Sequence, residues 1–280
     1  MGGLLSLATV ALIPLAAKAA SSMVGIEYSR PAGVPLYMDA SIPEGPGPFP
    51  AVIIVHGGGW VRGDRRVDVA PLFKPLEQAG IAWFSIDYRL LRNLIEFGAP
   101  IDDVQNAVLF VKSHAAEYNI DPERIVLIGE SAGGQLAAMA ALKPVAGASV
   151  QGVVAFYSPT DLESLAKNSA MIPEELHRTL RGTPFEAMLF VFLRQLSPVA
   201  NIPVGSSGTA PPFLFIHGTR DQLVPFAQSE TMCGLLKSAG STCELYPVEG
   251  AGHGMRWWES SAYQSVMIRW LRQQLVMPKG

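Results

Sequence analysis

Residues 124–142 read RIVLIGESAGGQLAAMAAL: an apolar run from Ile125 to Ile128, the turn Gly129-Glu130-Ser131-Ala132-Gly133-Gly134, and small and apolar residues from Gln135 to Leu142. The first run has the length and β-branched content of a strand covered on both faces. The glycines after it permit a sharp strand-to-helix turn that lifts a serine hydroxyl clear of the sheet, the arrangement known as a nucleophile elbow. As a bare string Gly-x-Ser-x-Gly is common by chance. Between a buried strand and a helix it is specific. A helix that begins at Ser131 also turns its amides and its positive dipole end toward developing negative charge.

Outward from this segment, β-rich runs alternate with helical patterns. The expected strands are Gly25–Ser29, Leu36–Ser41, Ala51–His56, Ala82–Tyr88, Ile125–Gly129, Val150–Tyr157, Phe213–His217 and Thr242–Val248. The expected helices are Val67–Ala79, Ala99–Glu117, Ala132–Leu142, Pro225–Ser238 and Ser260–Leu275. Such alternation predicts an α/β fold, a mostly parallel eight-stranded sheet with helices on both faces. The Pro/Gly turn 30–35 between the first two strands predicts that they pair antiparallel at one edge. Residues 159–211 interrupt the alternation with a connection far longer than usual. They contain Glu186–Leu196, apolar nearly all round, which something must cover. The expectation is a small inserted cap over the C-terminal edge of the sheet, where open α/β sheets bind ligands.

The 280 residues are 49% hydrophobic and 16% charged, and 21 basic against 24 acidic residues leave a net charge of −3. This composition excludes a disordered chain. Near-neutral charge without a Lys/Arg run excludes a nucleic-acid footprint. Leu4–Ala17 is almost wholly apolar and precedes Ala17-Lys18-Ala19, an Ala-x-Ala pattern that suits a cleaved secretory signal over residues 1–19. It is short for a spanning helix and carries Pro14 in its interior. Its n-region has no Lys or Arg, which leaves an uncleaved anchor as the alternative. The mature domain is then 20–280, secreted or periplasmic, with no stable membrane association after cleavage. Cys233 ends a helical pattern and Cys243 opens the next strand, so helix descent and strand return can bring them within bonding range. A disulfide suits a secreted chain; two buried thiols are the alternative.

Three further groups bear on the chemistry. His56-Gly57-Gly58-Gly59-Trp60 follows a buried strand, and its backbone can aim N–H groups at an oxyanion. Gly58, Gly59 and Ala132 are the expected donors. A phosphate loop would need a following Lys-Ser/Thr, which is missing. His253, in Gly250-Ala251-Gly252-His253-Gly254, is a loop histidine among small residues and the expected base. Asp221, in His217-Gly218-Thr219-Arg220-Asp221, is the expected orienting acid. Each lies just past a predicted strand, in the chain order Ser131, Asp221, His253. Trp60, Glu130 and Trp257 are candidates for substrate contact. Glu130 could equally brace the loop, and Trp257 and Trp258 could pack under the last helix. His56 and Asp64 read as loop braces, Asp161 as a helix N-cap, and His114 and His177 as surface residues. No spacing suits a metal, and neither metal nor cofactor is expected.

With these motifs in view, the chain resembles the α/β-hydrolase serine esterases from about Gly25 onward. HGGGW and GESAGG are shared with hormone-sensitive-lipase-like esterases. The acid motif HGTRDQLVP, with Asp87-Tyr88-Arg89-Leu90, Ile101-Asp102-Asp103-Val104 and Asp121-Pro122-Glu123-Arg124-Ile125, is similar to the bacterial carboxylesterases grouped with acetylxylan and feruloyl esterases. The resemblance implies an α/β-hydrolase fold and acyl-enzyme hydrolysis of short-chain or aromatic acyl esters, on a small-molecule or plant cell-wall carbohydrate substrate. An amidase or arylformamidase, a peptidase, a membrane-tethered lipase-like enzyme and a non-catalytic binding protein are the competing readings. Oligomeric state does not follow from the sequence.

Overall fold

A computed structural model describes residues 21–168, 181–204, 209–254 and 261–275. The expected signal segment 1–19, His177, Trp257 and Trp258 lie outside the described residues. The strands are β1 (Ser21–Ser29), β2 (Leu36–Ile42), β3 (Phe49–Val55), β4 (Ala82–Ile86), β5 (Ile120–Glu130), β6 (Val153–Phe156), β7 (Phe213–Gly218) and β8 (Cys243–Val248). They form one sheet in the order β1-β2-β4-β3-β5-β6-β7-β8. β1 pairs antiparallel with β2 and β2 with β4, and the remaining pairs are parallel. The helices are α1 (Ala70–Gln78), α2 (Ala99–Ser113), α3 (Ala132–Leu142), α4 (Leu162–Asn168), α5 (Pro184–Gln195), α6 (Ala227–Ser238) and α7 (Ser261–Gln274).

Side-chain alternation along the central strands divides the core into two layers. Ala51, Ile53 and Val55 of β3 face the layer that includes α2, α3 and α6. Val52 and Ile54 face α1 and α7, where Leu72, Leu76, Met267 and Trp270 are buried. Both sets on β3 are fully buried, which is why the strand reads as an unbroken apolar run. Every residue of α3 is buried, so its composition is apolar all round, and alanines on both sides allow close approach to the sheet. β3 and β5 pair in register, Val52 with Val126 and Val55 with Gly129, so the ends of both strands reach the same edge of the sheet.

Several polar residues are ties between these elements. Asp103 on α2 is fully buried and accepts hydrogen bonds from Arg89 N at 2.9 Å and Arg89 Nη2 at 2.7 Å. A buried carboxylate needs such partners to remain charged. Residues 87 and 88, expected within a strand, leave the sheet at Ile86 instead. Asp87 meets Arg65 at 2.6 Å, and Tyr88 turns toward the loop after β3. Asp161 serves as the N-cap of α4, accepting from Ser164 N at 2.9 Å.

In the inserted segment, Leu193 and Leu196 join the main core, and Gln135 on α3 donates to Leu196 O at 2.8 Å. Among the described residues, the apolar helix α5 packs against the core by one side, through Leu189, Phe190, Phe192 and Leu193. Phe185, Met188 and Val191 are exposed among the described residues. No helix among the described residues is long and apolar enough to cross a membrane.

Cys233 on α6 and Cys243 on β8 form a disulfide, with Cα atoms 5.5 Å apart. The bond closes a short loop and limits the unfolded chain, an effect of about 2–3 kcal/mol. Replacing both cysteines with alanine is expected to lower Tm by roughly 5–10 °C with little change in turnover. Thermal melts of the wild type with and without reductant check this, and identical melts would contradict it.

Candidate active site

Ser131 stands between β5 and α3 with φ 50° and ψ −120°. A non-glycine residue held there stores about 1–3 kcal/mol of strain, which the surroundings must hold in place. Ser131 N donates to Phe156 O at 2.9 Å, and Ser131 O accepts from Gly134 N at 3.1 Å. The turn is possible because β5 and α3 approach at backbone distance. A Cβ on Gly129 would overlap the Gly133 carbonyl, and one on Gly133 would overlap the carbonyls of Val55 and His56.

The loop after β3 is clamped from several directions. His56 is buried, stacks on Tyr88 with ring centroids 4.3 Å apart, and donates from Nδ1 to Gly57 O at 2.8 Å. Burial pushes its imidazole below the ordinary value, so it stays a neutral brace. Tyr88 donates to the carbonyls of His56 and Gly57, each at 3.1 Å. Gly58 adopts φ +105°, where a side chain would strike the Arg62 carbonyl. Trp60 donates from Nε1 to Gln135 Oε1 at 2.9 Å and packs against Phe97. Among the described residues, the amides of Gly58, Gly59 and Ala132 find no acceptor. Gly58 and Gly59 border the cleft that contains Ser131.

Glu130 supplies the fourth clamp. Its Oε1 accepts from Gly57 N at 2.6 Å and its Oε2 from the Tyr157 hydroxyl at 2.8 Å. Of the two roles left open for it, this geometry provides the bracing one. Burial raises the Glu130 carboxyl above its ordinary value, against the lowering effect of the bonds from Tyr157 and Gly57. Burial and the neighbouring Glu130 hold the Tyr157 phenol well above its own ordinary value, which keeps it a donor. Glu130→Ala leaves Gly57 N unpaired and is expected to lower kcat about 10- to 100-fold with little change in KM. Glu130→Gln keeps an acceptor for Gly57 N and is expected to retain most activity. A carboxyl with a raised folded-state pKa favours folding while protonated, and that contribution is lost as pH rises through the raised value. The glutamine variant is therefore expected to lose less stability than the wild type between acidic and neutral pH. Steady-state kinetics and melts across that range check both statements.

The remaining two residues come from loops after β7 and β8. Asp221 is buried; its Oδ1 accepts from Leu223 N and Val224 N, each at 2.9 Å. Its Oδ2 accepts from His253 Nδ1 at 2.7 Å. His253 Nε2 lies 3.0 Å from Ser131 Oγ. Ser131, His253 and Asp221 thus form one hydrogen-bonded chain across three loops. Burial alone would raise the Asp221 carboxyl, but hydrogen bonds from His217, His253 and Val224 N outweigh it and hold the group well below the usual range. The Tyr157 ring meets the His253 ring edge-on, centroids 4.7 Å apart.

The cleft has a volume of about 600 Å³ and is lined by Arg62, Asp64, Val67, Asp68 and Leu223 around Ser131 and His253. Among the described residues none from 159–211 lines it. Trp60 is turned to Gln135 and does not border this cleft, whereas Glu130 does. Asp64 braces its own loop, accepting from Arg66 N at 2.7 Å and Val67 N at 3.1 Å. His114 closes the end of α2 through Phe110 O at 2.8 Å. Sequence reasoning assigned no role to Tyr88, Gln135, Tyr157 or His217. Their one visible signal was a polar or ring-bearing group inside or beside an otherwise apolar run.

Comparison with known proteins adds independent findings. The BD-FAE family model matches residues 38–236. The probable carboxylic ester hydrolase LipM of Mycobacterium tuberculosis is 34% identical over 213 residues, covering 71% of this chain and 48% of LipM. The chain spans about half the length of the curated relatives it matches. Propionate-bound esterase 2 of the planctomycete Thermogutta terrifontis superposes with a TM-score of 0.72 at 26% identity, covering 93% of this chain and 97% of that one. A truncated carbohydrate esterase from gut microbiota, 24% identical with a TM-score of 0.73, shares the fold over 93% of this chain and 98% of its own.

Proposed function

The chain belongs to the BD-FAE family of α/β-hydrolase esterases, and from that premise we propose that it is a secreted serine carboxylesterase acting through an acyl-enzyme. Its substrates are short-chain or aromatic acyl esters, with acetyl or feruloyl groups of plant cell-wall polysaccharides as the natural candidates. The observation that carries this reading is the hydrogen-bonded chain Ser131–His253–Asp221 beside amides that have no acceptor among the described residues.

In the reaction, His253 Nε2 takes the Ser131 proton as Oγ attacks the ester carbonyl. The amides of Gly58, Gly59 and Ala132, which have no acceptor among the described residues, receive the oxyanion. Asp221 keeps the Nδ1 proton of His253 in place and stabilises the imidazolium. That imidazolium protonates the departing alcohol, and water, activated by the same base, releases the acid and restores Ser131. The propionate complex of the Thermogutta esterase supports a short acyl group. The Cys233–Cys243 disulfide supports an oxidising compartment. Mass measurement of the mature N-terminus tests secretion, with cleavage near Ala20 expected and an intact apolar segment against it.

Substrate class is tested with p-nitrophenyl esters from acetate to decanoate, methyl ferulate and acetylated xylan, each with wild type and Ser131→Ala. Ser131-dependent release of acetate or ferulate supports the reading. Preference for decanoate would redirect it to lipids, and absence of ester turnover would overturn it.

A further inference from the structure

We propose that His217 is a positioning residue of this reaction: a neutral imidazole, protonated on Nε2, that fixes the Asp221 carboxylate and ties it to α6 through Ser229. The inference rests on the serine-esterase reading above. His217 lies near the end of β7 and is fully buried, as is Ser229 on α6. Its Nε2 is 2.9 Å from Val224 O and 3.3 Å from Asp221 Oδ2. A carbonyl can only accept, so Nε2 carries the proton and shares it between the carbonyl and the carboxylate. In the neutral ring proposed, Nδ1 is the acceptor, and the Ser229 hydroxyl, 2.7 Å away, donates to it. The Phe226 ring packs edge-on against the imidazole, centroids 5.6 Å apart. These contacts fix the ring position, and the Nε2–H tautomer is the neutral form that fits them.

Asp221 Oδ2 consequently faces two imidazoles, and Oδ1 faces two backbone amides. Without His217, one corner of the carboxylate is free to rotate away from His253. Oδ2 would also present its charge undivided to His253, which favours the imidazolium. Among the described residues, the titratable and charged groups facing His253 are Asp221, Glu130 at the end of β5, Tyr157 just past β6, and Arg62, Asp64 and Asp68, which line the same cleft. Asp221 is the titratable group facing His217 among the described residues.

The test compares His217→Phe, which keeps a ring but no donor, with His217→Gln, whose amide can reach the place of Nε2. With p-nitrophenyl acetate, His217→Phe is expected to lower kcat about 10- to 100-fold with KM little changed, and to move the acid limb of kcat/KM to higher pH. His217→Gln is expected to recover most of the rate and the original limb. A folded His217→Phe with wild-type kcat and limb overturns the proposal. So does an equal loss in both variants with the limb unmoved, the signature of a merely structural role. Should neither variant fold, 15N imidazole NMR of the wild type decides: an Nε2–H neutral ring across the active pH range is expected, and an Nδ1–H or doubly protonated ring overturns the proposal. An inactive wild type would overturn the esterase reading, while the NMR measurement would still decide the state of His217.

Discussion

Ser131→Ala is expected to lower kcat/KM for p-nitrophenyl acetate by about 10⁴- to 10⁶-fold with the fold intact. The size follows from what is removed. His253 Nε2 keeps its position but has no hydroxyl to deprotonate, and the amides of Gly58, Gly59 and Ala132 can only polarise an ester awaiting attack by water. A residual rate from those donors is expected. The strained backbone at residue 131 adds a second, opposite effect. Ser131→Gly removes the same nucleophile and also the Cβ that makes φ 50°, ψ −120° unfavourable. That variant is expected to be equally inactive but more stable than the wild type by about 1 kcal/mol, or roughly 2–4 °C in Tm. Activity and stability are traded at a single side chain. A glycine variant that melts below the wild type would contradict the strain argument.

The second large effect is Asp221→Asn, expected to lower kcat by about 10⁴-fold. Leu223 N and Val224 N both donate to Oδ1, so they orient the amide oxygen of the asparagine toward themselves. Its NH₂ group then faces His253 Nδ1 and the Nε2 proton of His217. To accept from that NH₂, His253 must carry its proton on Nε2, and it can no longer take one from Ser131. The substitution inverts a tautomer while preserving shape. Pre-steady-state kinetics should show the loss in acylation. In the wild type the depressed Asp221 carboxyl stays ionised throughout the working range. Its stabilising contribution is present above the unfolded-chain value and is lost only as pH falls through the depressed folded value. Activity lost toward mild acid therefore reports a different group, and an Asp221-dependent limb near neutrality would contradict this assignment.

Much of this was legible because the central strands are buried on both faces and punctuated by glycine. The run from Ile125 to Leu142 contains a strand, a turn and a helix whose limits, Ala132–Leu142, agree with the sequence reading. All eight expected strands are present, with the first two antiparallel. What periodicity could not convey is where tertiary hydrogen bonds override it. Asp87 and Tyr88 continue a β pattern, yet Arg65 and the carbonyls of His56 and Gly57 draw them out of the sheet. The cleft wall from Arg62 to Asp68 is an irregular loop, and side-chain direction there has no period to read. It is set by distant partners: Asp39 on β2 takes both Arg65 and Arg66, and Asp87 takes Arg65. For Glu130 bracing is one of the roles the sequence leaves open, but its partner Gly57 lies 73 positions away and is not legible; His217 is visible as a residue but not as a brace, its partner Ser229 lying 12 positions on.

The central claim is that Ser131 is the nucleophile, and its most direct test is the site of modification by paraoxon, a reagent that phosphorylates the Thermogutta esterase. Peptide mass mapping of treated protein is predicted to find a single diethylphosphoryl group, on Ser131, and much slower labelling in Asp221→Asn. A phosphorylated residue elsewhere, or an unlabelled Ser131 in protein that still hydrolyses esters, would contradict the account.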